Sequence, residues 1–156
     1  MHNFSQDPAS RPAGHGVALS GRQQNKQRHQ RLKGRGKGPP FLSIQHQISD
    51  SEEFGLLSGN AVKLLLELAR QYRPGRNGDL SIPWSMLSKR GWRSKATVQA
   101  AKRELLDARW ILETRKGGKN MCSLFALTYY AIDESEKHLE PSTVTAPNHW
   151  RRNHNG

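Results

Sequence analysis

The chain has 156 residues, with 25 basic against 13 acidic side chains and a formal net charge of +12 at neutral pH. That length leaves room for one domain with tails, and the lone cysteine, Cys122, excludes an internal disulfide framework and a Cys-based zinc site. The N-terminus shows no apolar leader and no apolar run approaches membrane-spanning length, so a cytoplasmic protein without a membrane partner is expected.

The charge is unevenly spread. Residues 1–40 hold eight basic side chains against Asp7 alone, residues 41–133 hold fourteen against nine, and residues 134–156 hold three of each. Clustered positive charge points to a polyanion, of which nucleic acid is the commonest, with solubility as the plain alternative. Residues 1–40 are almost free of large apolar side chains and are read as a disordered basic arm that ends at Pro39-Pro40.

A domain is expected over 41–133, with one short helix around Ser51–Phe54. Ser58 is an N-cap candidate, and Leu57 can staple onto Val62. The helix that follows, to Arg73, carries Ala61, Val62, Leu64, Leu65, Leu66, Leu68, Ala69 and Tyr72, more than one stripe, which predicts a central position. Pro74 to Gly78 is a turn cluster, and Leu80-Ser81-Ile82 alternates as a short strand would.

Pro83–Arg90 then reads as a helix with Pro83 in its first turn, stopped by Gly91. After Trp92-Arg93, Ser94 is an N-cap for a second helical run, Lys95–Ala108. Ile111–Arg115 and Met121–Tyr129 read as strands, with Cys122 as a small buried residue of the second. Lys116-Gly117-Gly118-Lys119 joins them, the Gly-Gly pair supplying positive-φ positions. From Glu134 the chain is polar again and reads as a flexible C-terminal tail, 134–156, despite Trp150. The order helix-strand-helix-helix-strand-strand is that of an α+β winged helix-turn-helix, the form that places its second helix in a DNA groove.

On Lys95–Ala108, helical spacing puts Val98, Ala101, Leu105 and Ala108 on one side with Leu106 at its edge. The opposite side holds Ala96, Gln99, Ala100, Arg103 and Asp107. Gln can pair with adenine and Arg with guanine, while small Ala residues permit close approach to base edges. An amphipathic surface helix, with Arg103 paired to Asp107, would show the same pattern. Arg90, Arg93 and Lys95 flank the helix start at Ser94, where backbone N–H groups favour a phosphate. Arg115, Lys116 and Lys119 gather charge at the hairpin tip, as DNA-binding wings do and as strand edges protected from aggregation do. Trp84 and Trp92 suit either base stacking or a lid over the core.

The run SKATVQAAKRELLDARWILETRKGG, Ser94 to Gly118, resembles winged helix-turn-helix proteins of bacteria and their mobile elements. The matching features are Ser94 and Thr97 at the helix start, the Glu104-Leu105 pair, Trp110-Ile111 opening a strand, and the basic turn Arg115–Gly118. The wider span from Phe41 is similar to phage- and plasmid-associated replication initiators or regulators. Ala100 and Lys102 depart from that pattern, in which a large polar and an apolar residue are common at these two places. The resemblance implies double-stranded DNA as partner, a homodimer or the replication or transcription machinery as further partners, no cofactor, and a nucleoid-associated role in transcription regulation or mobile-element replication.

No enzyme is expected. The seven histidines are scattered, no Gly-Lys-Ser/Thr phosphate loop is present, and Glu52-Glu53 and Asp133-Glu134 read as solvated neighbours. His46 reads as a structural histidine. The alternative function is an RNA-binding or non-specific nucleoprotein-scaffolding module in which the basic arm dominates.

Overall fold

Helix α3 (Gly59–Ala69) owes its central place to its leucines: Ala61, Leu64, Leu65, Leu68 and Ala69 are all buried in the core. The computed structural model describes residues 40–152, so the basic arm lies, but for Pro40, outside the described residues. Ser58 caps α3, its Oγ accepting from the Ala61 N–H at 3.2 Å. Ahead of it lie two four-residue helices, α1 (His46–Ser49) and α2 (Glu52–Gly55). The second is the one expected from the sequence, with Ser51 as its cap; the first has no side-chain cap to announce it.

Helix α4 (Trp84–Leu87) is shorter than expected, because it tightens into a 3-10 turn over Ser88–Arg90. Pro83 stands just before it as the extended N-cap rather than inside its first turn. Gly91 then takes φ 80°, the left-handed conformation that ends the helix and lets the Trp92 N–H reach the Leu87 carbonyl at 3.2 Å. Helix α5 (Lys95–Asp107) follows and packs on α3, burying Val98, Ala101 and Leu105. Ala108 does not join that stripe; it is the exposed C-cap, and Arg109 leaves the helix at φ 58°.

Strands β1 (Ile111–Arg115) and β2 (Leu124–Leu127) form an antiparallel pair, giving an α+β architecture. The register sets Ile111 opposite Leu127 and Glu113 opposite Phe125, with an irregularity between Glu113 and Arg115. The expected third strand shrinks to one bridge, Leu80 to Phe125. The segment is cut short by Pro83, which lacks an N–H and already caps α4, while Gln71 holds its other edge, accepting from the Ser81 N–H at 3.2 Å and donating to the Ser81 carbonyl at 2.9 Å.

The hairpin turn also departs from expectation. Neither Gly117 nor Gly118 has positive φ; Asn120 does, at 67°. Gly118 and Met121 exchange backbone hydrogen bonds of 3.0 and 3.1 Å, so the reversal falls on Lys119-Asn120. Gly117 is needed for a different reason, since a Cβ there would lie 2.6 Å from the Ser123 backbone nitrogen. Cys122 is consequently outside β2 and exposed, not a buried strand residue.

Residues 134–152, read as part of a flexible polar tail, pack on the domain without helix or strand. Trp150 is buried and stacked on Trp110, with ring centroids 4.6 Å apart and planes at 15°. Backbone bonds from Asn148 to Thr128 (2.7 Å) and from Thr143 to Ile132 (2.9 Å) hold the segment down. Covering the large apolar surface of Trp110 offsets the ordering of that polar stretch. Among the described residues no helix is long and apolar enough to cross a membrane.

Candidate nucleic-acid interface

Helix α5 is fixed in place from both ends. At its start the Ser94 Oγ accepts from the Ala96 and Thr97 N–H groups at 3.1 and 3.4 Å, which occupies two of the donors that the sequence assigns to a phosphate. Near its end the Glu104 carboxylate accepts from both the backbone N–H and the hydroxyl of Ser58, each at 2.6 Å. Lys63 of α3 donates to the Gly91 carbonyl at 3.4 Å and lies 4.8 Å from the Trp92 ring centroid, tying the interhelical turn to the core helix.

Apart from Ala108, the helix phase read from the sequence holds. Ala96, Gln99, Ala100, Arg103 and Asp107 are all exposed, opposite the buried Val98, Ala101 and Leu105. Among the described residues Arg103 forms no ion pair with Asp107. Gln99 and Lys102 line a cleft of about 160 Å³ together with Ile82, Pro83, Cys122 and Ser123. That shared cleft sets the hairpin arm beside α5, so the exposed helix face and the hairpin border one another.

The basic residues divide into two groups. Arg93, Lys95, Lys116 and Lys119 are exposed, with the Lys95 ammonium 5.9 Å from the centroid of the half-buried Trp84. Arg90 and Arg115, expected as phosphate contacts, are engaged within the fold. The Arg90 guanidinium binds the carboxylate of Glu67, a buried acid on α3 that also meets Arg70 at 3.7 Å. A carboxylate taken out of water demands such a partner. Arg115 donates to the Cys122 carbonyl at 3.0 Å and the Lys137 carbonyl at 3.1 Å, bracing the loop end of the hairpin. Trp92 is 4 % exposed and belongs to the core, which removes it as a base-stacking platform.

Sequence reasoning missed the roles of Glu67, Glu104 and Asn77. Glu67 had one legible signal, a single acid among the leucines of a helix expected to be covered on more than one side. Glu104 and Asn77 act through partners 46 and 50 residues away, for which no local pattern exists. His46, expected to be structural, is exposed. Among the described residues no group of three His, Cys, Asp or Glu side chains is arranged to hold a metal ion. Comparison with protein-family models, curated proteins and solved structures finds no match to this chain.

Proposed function

We propose that residues 42–152 form a winged-helix-like domain that binds double-stranded DNA, with α5 entering the major groove and the β1–β2 hairpin acting as the wing. The observation that carries this reading is the composition of the exposed face of α5. A helix held rigidly on its buried side presents Gln99 and Arg103 one turn apart, flanked by the small Ala96 and Ala100. Gln and Arg are the side chains that pair bidentately with adenine and guanine, and the alanines let the helix backbone sit deep. Arg93 and Lys95 at the helix start, with Lys116 and Lys119 at the hairpin tip, supply phosphate contacts on either side. Arg90 and Arg115 act one step back, as positioning residues. A non-catalytic role in transcription regulation or mobile-element replication, in the cytoplasm at the nucleoid, is the setting that fits such a domain.

Selection of bound duplexes from a random pool tests the proposal. A recovered motif that outcompetes random duplex and single-stranded RNA supports it. Equal competition by all three would replace it with a general nucleoprotein-scaffolding role.

A further inference from the structure

A second concentration of positive charge lies outside the residues assigned above. Arg70, Arg73, Arg76 and Lys137 line one cleft of about 430 Å³, with Asp79 and Leu80. The three arginines follow one another at the end of α3 and in the turn beyond it, while Lys137 arrives from the C-terminal segment. Lys137 is fixed there by its ammonium on the Asp79 carboxylate at 3.1 Å.

The counter-charge does not match. Glu67 is shared between Arg70 and Arg90, and Asp79 serves Lys137. Arg73 donates to the Arg70 and Tyr72 carbonyls at 3.2 and 2.6 Å, which orients the guanidinium without neutralising it. Arg76 is exposed and, among the described residues, has no ion pair. Like charges held in one concave place raise the local potential and favour a polyanion.

The cleft is tied at two points to residues that position the proposed DNA face. Glu67 links Arg70 to Arg90, the residue before Gly91 in the interhelical turn. Arg115, at the loop end of the hairpin, donates to the Lys137 carbonyl. The cleft is thus held in a fixed relation to the turn and the hairpin. Resting on the duplex reading above, we propose that this cleft holds the phosphodiester backbone of duplex DNA flanking the segment that α5 reads.

The full chain and its Arg73→Gln/Arg76→Gln variant are compared by fluorescence anisotropy on two duplexes with the same central sequence, of about 12 and about 30 base pairs. The variant is expected to bind the short duplex like the wild type and the long one severalfold more weakly. Its salt slope on the long duplex should be shallower by about two, one for each lost phosphate contact. Arg76→Gln alone, at an exposed side chain, gives about half that change in slope and covers the case in which loss of Arg73 disturbs the end of α3. Unchanged binding of the long duplex by both variants overturns the proposal. So does an equal loss on both lengths, because the cleft would then serve the central segment. Gln99→Ala/Arg103→Ala on the short duplex reports separately on the reading face. A length-dependent loss at the arginines with no effect of that second variant would leave the cleft standing and the reading face refuted.

Discussion

Replacing Asn77 should unfold the domain at a temperature well below that of the wild type, although no sequence motif marks it. Its side chain is fully buried. The amide nitrogen donates to the carbonyls of Leu127 (2.9 Å), Ala131 (2.8 Å) and Tyr130 (3.3 Å), and the amide oxygen accepts from the Leu127 N–H at 2.8 Å. Asn77→Ala leaves that buried N–H without a partner, at about 1–3 kcal/mol, and strips a donor from carbonyls at the end of β2. A total near 3 kcal/mol lowers Tm by on the order of 15 °C for a domain of about 100 residues, read by far-UV circular dichroism. Asn77→Asp should be worse near neutral pH, because a carboxylate would face three carbonyl oxygens. Burial and those carbonyls would raise its folded pKa above the unfolded value of about 3.9, so the variant should regain stability as pH falls through the raised pKa and the acid becomes a donor. If Asn77→Ala melts with the wild type, Asn77 is not what joins the 74–78 turn to β2.

Leu105→Ala should cost about 2–5 kcal/mol in denaturant unfolding, since Leu105 is 0 % exposed, whereas Gln99→Ala should leave stability within about 0.5 kcal/mol. The reverse order would mean that the phase of α5 is mistaken. Arg90→Ala should reduce stability by about 1–2 kcal/mol by removing the nearer of the two partners of buried Glu67, with little change in the salt slope of DNA binding, because this guanidinium is already held by that carboxylate. A shallower slope with unchanged stability would return Arg90 to the phosphate contacts. Burial works to raise the pKa of the Asp79 carboxyl, but hydrogen bonds from Ser135 and Lys137 outweigh it and hold the pKa below the ordinary value. That stabilisation is present above about pH 3.9 and is lost as pH falls through the lower folded value, and Asp79→Asn should abolish this part of the acid dependence.

What was legible in the sequence was local. Gly91 as a left-handed stop and Ser94 as a cap depend on neighbours within a few residues, and both stand where the sequence puts them. The face of α5 followed from spacing alone. The third strand is cut short where Pro83 already caps α4, and Gln71, ten residues upstream, holds its outer edge through the backbone groups of Ser81. Arg90 and Arg115 looked like phosphate contacts because their partners are distant: Glu67 is 23 residues away and the Lys137 carbonyl 22. The segment ending at Trp150 read as a tail because its polar composition hides one aromatic anchor, whose receiving surface on Trp110 exists only in the fold.

The claim that the exposed face of α5 reads duplex DNA is tested most directly by comparing one selected duplex with its scrambled version. Affinities for both would be measured with the wild type, Arg103→Ala and Lys116→Ala. Arg103→Ala is expected to lose about 1–3 kcal/mol on the selected duplex and little on the scrambled one, while Lys116→Ala weakens both by a similar factor. Unchanged binding of the selected duplex by Arg103→Ala, alongside a clear loss for Lys116→Ala, would contradict the claim.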